Sequence, residues 1–176
     1  MRTKSSSTTE QLEAPVDQAQ SPQVEAPATE ESNDKVKVEQ ALIVDDNAIN
    51  RRLLSAWMKK HKIAFKEAKD GQQALDLYKK AKGTFDLVLM DISMPVMDGM
   101  TSTRLIREYE RENQFTESHI IALTGLTSAS AKLEAWTSGV DDYLAKPVDF
   151  KRLESLMDAG RGGAGTGFMK EHGSIA

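Results

Sequence analysis

The chain contains no cysteine, which removes disulfide cross-links, thiolate metal sites and thiol nucleophiles from consideration. No apolar run approaches the roughly 18 residues that a membrane-crossing helix needs. The N-terminus lacks the apolar core of a secretory signal, and its many Glu residues argue against a transit peptide. The expectation is a soluble cytoplasmic protein, with no membrane association and nothing that bars entry to the nucleus.

Aromatic residues are missing from 1–39, a stretch that holds Pro15, Pro22 and Pro27 and is otherwise mostly Ser, Thr, Gln, Glu and Ala. Such a segment buries too little apolar surface to offset its ordering entropy, so a disordered acidic leader is expected there. It carries eight acidic and four basic residues, which accounts for the whole net charge of −4. The remainder is balanced and lacks the basic face of a nucleic-acid-binding module. From Gly160 the chain reads Gly-Arg-Gly-Gly-Ala-Gly-Thr-Gly. No strand precedes this run and no Lys-Ser or Lys-Thr pair closes it, so 159–176 reads as a flexible tail, not a phosphate-binding loop.

Between these tails, 40–158 forms one folded unit built around 85–99. Leu87 to Met90 is a short apolar run of the kind buried on both faces of a sheet, and it ends on Asp91. Met94-Pro95 and Asp98-Gly99 then turn the chain into a helix. Three other apolar runs end in the same way: Ala41–Val44 at Asp45-Asp46, Ile120–Leu123 at Thr124-Gly125, and Tyr143–Ala145 at Lys146-Pro147. A weaker strand is expected near Ala64–Ala68.

Helices fill the gaps. Asn47 is placed to cap one that carries Ile49, Leu53 and Trp57 on its apolar face and ends near Lys60. Asp70-Gly71 opens a second, with Ala74, Tyr78 and Ala81 in one stripe. A third turns Leu105, Ile106 and Tyr109 inward and Arg104, Arg107, Glu108 and Glu110 outward. A fourth, capped by Ser128 or Ser130, carries Leu133 and Trp136 and stops at Gly139. Asp149 caps the last, which carries Phe150, Leu153 and Met157. Five alternations of strand and helix give an α/β fold, a doubly wound five-stranded parallel sheet of the flavodoxin-like type with strand order 2-1-3-4-5.

In such sheets ligands bind at the carboxyl ends of the strands. Three carboxylates (Asp45, Asp46, Asp91), the Thr124 hydroxyl and the Lys146 ammonium would converge there. Carboxylates so close repel one another unless a cation sits among them, and hard oxygen donors without His or Cys favour Mg²⁺. One Mg²⁺ and one ammonium balance the three negative charges. A carboxylate so placed can take a phosphoryl group and form an aspartyl phosphate.

The set Val44-Asp45-Asp46-Asn47, Leu89-Met90-Asp91 with Met94-Pro95 and Asp98-Gly99, Leu123-Thr124, and Tyr143-Leu144-Ala145-Lys146-Pro147 resembles the receiver domain of two-component response regulators. The resemblance implies that Asp91 is the phosphoacceptor, taking its phosphoryl group from a histidine kinase or a histidine phosphotransfer protein. It implies that Asp45, Asp46, Asp91 and the Ser93 backbone carbonyl hold Mg²⁺, and that Thr124 and Lys146 contact the phosphoryl group. It further implies a cis Lys146-Pro147 bond, a switch made by Thr124 and Tyr143, and a downstream partner on the face of the fourth helix, fifth strand and fifth helix. Ser93 and Leu126 flank the expected water path to the phosphoryl group and are expected to tune its lifetime. The Asn47–Arg52 continuation resembles receivers attached to hybrid histidine kinases, fungal ones included.

Two rival readings remain. A Mg²⁺-dependent phosphohydrolase would carry a second acid two residues after its nucleophile, but that position is Ser93, which leaves no general acid for the leaving group. A pure interaction domain would have no need of the complete acidic, hydroxyl and ammonium set. The chain has no glycine-rich ATP lid, and its histidines (His61, His119, His172) stand in no kinase motif, so an enzyme that phosphorylates itself from ATP is not expected.

Overall fold

Hydrogen-bonded parallel strands build the molecule outward from its most apolar segment. The computed structural model describes residues 37–125 and 137–160. In chain order the elements are β1 (Gln40–Val44), α1 (Ala48–Lys60), β2 (Ala64–Ala68), α2 (Gly71–Lys80), β3 (Leu87–Asp91), α3 (Gly99–Asn113), β4 (His119–Thr124), β5 (Asp142–Ala145) and α4 (Phe150–Ala159). The strands form one sheet in the order β2-β1-β3-β4-β5, every pair parallel. The sheet order expected from the sequence is the one observed, and so is the alternation of strand and helix over the described residues. The predicted helix near 128–138 and Leu126 fall largely or wholly outside the described residues.

The central strands are buried along their whole length, and alternate side chains feed two apolar layers. Val88, Met90, Ile120 and Ala122 join Leu75, Tyr78 and Ile106 under α2 and α3. Leu87, Leu89, Ile121 and Leu123 join Leu54, Met58, Leu153 and Leu156 under α1 and α4. Asn47 and Asp149 cap their helices as predicted, and Asp70 and Asp98, expected only as turn residues, do the same: each side chain accepts from a backbone N–H of the first turn.

Two helical faces differ from expectation. On α1 the buried residues are Leu54, Ser55 and Met58, while Ile49 and Leu53 are 70% and 56% exposed. The inward row therefore begins at Asn50, whose polarity disguised it. On α3, Arg107 and Glu110 are buried, not outward. The Arg107 guanidinium donates to Glu110 Oε2 at 2.7 Å, the Ser118 carbonyl at 2.9 Å, the Gly139 carbonyl at 2.9 Å and Asp141 Oδ2 at 2.6 Å. Glu110 Oε1 also accepts from the Tyr78 hydroxyl at 2.6 Å and the Ser118 N–H at 2.8 Å. Burial, and next the bond to Glu110, push the Tyr78 phenol well above its usual pKa. This network ties α2, α3, β4 and the turn before β5 together below the apolar layer.

Removing one partner of a buried ion pair leaves the other charge uncompensated. Arg107→Leu is expected to cost about 3–5 kcal/mol in urea unfolding, and Arg107→Leu with Glu110→Leu to cost less than Arg107→Leu alone. A double variant no more stable than the single one would contradict this account.

Candidate functional site

The carboxyl ends of β1 and β3 are adjacent because the two strands pair, with Val44 beside Met90. Each strand runs one residue further into an aspartate, and both carboxylates are buried: Asp45 is 0% and Asp91 3% exposed. Asp46 follows on the solvent side. One oxygen from each of Asp45, Asp46 and Asp91 lies within 4.8 Å of the others. The Lys146 ammonium, delivered by the turn after β5, sits 2.8 Å from Asp45 Oδ2 and 2.7 Å from Asp91 Oδ2.

Local bonds hold each group in place. Asp45 Oδ1 accepts from the Asn47 N–H at 2.8 Å, and Asn50 Nδ2 lies 3.3 and 3.2 Å from the two Asp45 oxygens. Arg51 donates to the backbone carbonyls of Asp45 at 2.7 Å and Asp46 at 3.1 Å. Asp91 Oδ1 accepts from the Ser93 N–H at 3.1 Å. The Lys146 N–H donates to the Thr124 carbonyl at 2.8 Å, and the Lys146-Pro147 bond is cis, as the resemblance implied. A Cβ on Gly99 would fall 2.1 Å from the Asp91 carbonyl oxygen, so no other residue fits behind the strand end.

Five of the seven residues singled out from the sequence, Asp45, Asp46, Asp91, Ser93 and Lys146, are thus brought to one spot. Thr124 stands buried at the same edge, one residue past the partner of Asp91 on β4. Tyr143 is half-buried on β5 and packs against the layer under α2 and α3. Sequence reasoning gave Asn50 and Arg51 no role at the site, although both lie in the Asn47–Arg52 continuation, one turn after the Asn47 cap. It also missed a groove of about 390 Å³ beside the carboxylates, lined by Leu53, Leu54, Pro147, Val148 and Phe150 along with Asp45 and Lys146.

One ammonium is shared by the two buried carboxylates, and the exposed Asp46 adds a third negative charge beside them, so the edge keeps excess negative charge. Burial raises the Asp91 pKa above the ordinary carboxylate value; the Lys146 bond and charge and the Ser93 N–H oppose this, and Asp45 adds to it. Burial lowers the Lys146 pKa, but its bonds to Asp45 and Asp91 outweigh that and leave it raised. The donor set is all oxygen, part buried and part open, which fits a hard divalent cation.

The family model of the response regulator receiver domain matches residues 41–158. The chain belongs to this family. As a receiver domain it is a signalling module of two-component phosphorelays. Osmolarity two-component system protein SSK1 of Saccharomyces cerevisiae is 36% identical over 135 residues, covering 64% of this chain and 19% of SSK1. Hybrid signal transduction histidine kinase M of Dictyostelium discoideum is 37% identical over 116 residues, covering 66% of this chain and 5% of the kinase. The chain therefore spans a small part of the length of these relatives. The co-crystal structure of the Saccharomyces cerevisiae histidine phosphotransfer protein Ypd1 with the Ssk1 receiver domain contains a chain that aligns with a TM-score of 0.65 and 36% identity. That alignment covers 70% of this chain and 89% of the solved chain. Among the described residues no helix is long and apolar enough to cross a membrane.

Because the Asp91 pKa is raised on folding, the folded chain holds that proton more tightly than the unfolded chain does. Ionised Asp91 therefore costs stability at neutral pH, and the cost fades as the pH falls through the folded pKa. In EDTA, Asp91→Asn is expected to unfold at higher urea than wild type at pH 7, with the gap closing toward the ordinary carboxylate pKa of about 3.9. A gap that widens on acidification would refute the assignment.

Proposed function

We propose that Asp91 accepts a phosphoryl group from phosphohistidine on a histidine kinase or a histidine phosphotransfer protein. The observation that carries this reading is the buried Asp45–Lys146–Asp91 arrangement, with Asp46 on its open side. An Asp91 oxygen attacks phosphorus; the P–O bond forms as the P–N bond breaks, and the released imidazole takes up a proton from water. Mg²⁺, held by Asp45, Asp46, Asp91 and the Ser93 carbonyl, would offset the charge on the phosphoryl oxygens. Lys146 exchanges part of its contact with the carboxylates for the phosphoryl group, the Thr124 hydroxyl donates to a phosphoryl oxygen, and the N–H groups after Asp91 assist.

The donor protein docks on the groove beside the carboxylates, where Leu53 is already exposed and Pro147, Val148 and Phe150 line the far wall. The solved pairing of the Ssk1 receiver with Ypd1 supports a phosphotransfer protein as that donor. Thr124 and Tyr143 act as the switch, which is read by a downstream protein on the face of β5, α4 and the predicted helix near 128–138. The unit at 40–158 is the receiver, flanked by the acidic leader 1–39 and the Gly-rich tail 159–176, and it works in the cytoplasm. It is a phosphoacceptor and not a phosphatase of free esters, since Ser93 stands where a leaving-group acid would be needed.

Acetyl phosphate with Mg²⁺ is expected to add one phosphoryl group by intact-mass measurement. EDTA or Asp91→Asn should abolish labelling, and Lys146→Ala should slow it about a hundredfold. Labelling that survives Asp91→Asn, or repeated turnover of phosphate esters, would reject the proposal.

A further inference from the structure

Val96 stands in a backbone conformation that its own side chain opposes. Its φ is +73°. The Met97 N–H donates to the Pro95 carbonyl at 3.0 Å, which closes a γ-turn of the rare positive-φ kind around Val96. A β-branched residue is an outlier in this region because its branched Cβ crowds the backbone, whereas glycine would hold the same turn without conflict. The turn is firmly seated. The Gly71 N–H donates to the Met97 carbonyl and the Gly99 N–H to the Ile92 carbonyl, each at 3.0 Å. A Cβ on Gly71 would fall 2.6 Å from that Met97 oxygen, so α2 is packed tightly against the loop.

The Val96 side chain does nothing for the core: it is 85% exposed. Among the described residues only Ile49, Leu53 and Val96 are large apolar side chains left mostly exposed. Ile49, in the first turn of α1, and Val96, in the loop between β3 and α3, follow the carboxyl ends of the neighbouring strands β1 and β3, and Leu53, one turn further along α1, lines the groove with Asp45 and Lys146. Scattered apolar residues need no explanation, but a set confined to the rim of one site marks a docking surface. Phosphoryl transfer between proteins requires the donor imidazole to reach the Asp91 carboxylate, so the donor must cover whatever stands on that rim. A small phosphodonor need not touch it.

We propose that Val96 is a specificity residue for the phosphohistidine-bearing partner: its methyl groups, held up by the γ-turn, seat against apolar surface beside the partner's histidine. Backbone strain is retained because the side chain is needed outside the fold. This inference rests on the reading of Asp91 as the phosphoacceptor.

The test compares two donors, acetyl phosphate and phosphorylated yeast Ypd1, on wild type, Val96→Gly, Val96→Asn and Val96→Ile. Val96→Gly frees the backbone and Val96→Asn tolerates positive φ with a polar side chain. Both are expected to keep or raise the thermal midpoint, to label with acetyl phosphate within about twofold of wild type, and to raise KM for phospho-Ypd1 about tenfold with little change in kcat. Val96→Ile should transfer like wild type. Transfer from phospho-Ypd1 that is unchanged in Val96→Gly and Val96→Asn overturns the proposal. So does a wild type that labels with acetyl phosphate but takes nothing from phospho-Ypd1. Failure of acetyl phosphate to label wild-type Asp91 instead removes the phosphoacceptor reading beneath it.

Discussion

The ammonium of Lys146, shared between the buried carboxylates of Asp45 and Asp91, is the interaction on which the carboxyl edge depends. Two carboxylates brought together away from water repel one another and lose hydration. One lysine offsets part of this, and the N–H groups of Asn47 and Ser93 and the amide of Asn50 offset more. The remaining negative charge makes the site receptive to a divalent cation. Burial, with a smaller push from the Asp45 charge, holds the Asp91 pKa up.

The parallel sheet is what makes this charge concentration available. Because β1, β3, β4 and β5 run in the same direction, all of their chain exits lie on one edge. Residues from Asp45 to Lys146 meet there although a hundred positions separate them. The two apolar layers and the caps on α1 to α4 keep the strand ends in register, and Gly99 lets α3 start directly behind Asp91. Rigidity at this edge serves phosphoryl transfer, which asks for positioning and charge stabilisation more than for covalent chemistry.

A second polar assembly, centred on Arg107, stabilises the region below α2 and α3. Its guanidinium fork meets two carbonyls and two carboxylates, so charge is buried with its bonds satisfied. The contrast between the two assemblies is informative. Around Arg107 each charged group is hydrogen-bonded by protein partners in place, whereas around Asp91 two buried carboxylates share one ammonium contact, a third carboxylate lies beside them, and the three leave room for a divalent cation.

Alternating apolar runs and helical stripes made the element order, the sheet topology and the strand-end carboxylates legible in the sequence, because burial on both faces of a parallel sheet leaves a local pattern. The helical faces were less legible. Ile49 and Leu53 share a four-residue spacing with Leu54 and Met58, and periodicity alone does not say which row faces the sheet. Arg107 and Glu110 read as solvent residues because charge is seldom buried unless paired, and their partners Asp141 and Tyr78 lie 34 and 32 positions away in sequence. Asn50, Arg51 and the left-handed Val96 were silent for a related reason: hydrogen bonds to a neighbouring strand end and a turn pinned by α2 are products of packing. The chain by itself determined which chemistry is carried and at which strand ends. Only the tertiary structure decided how many charges share one cation and which side chains face outward around them, since those depend on distances that no local spacing encodes.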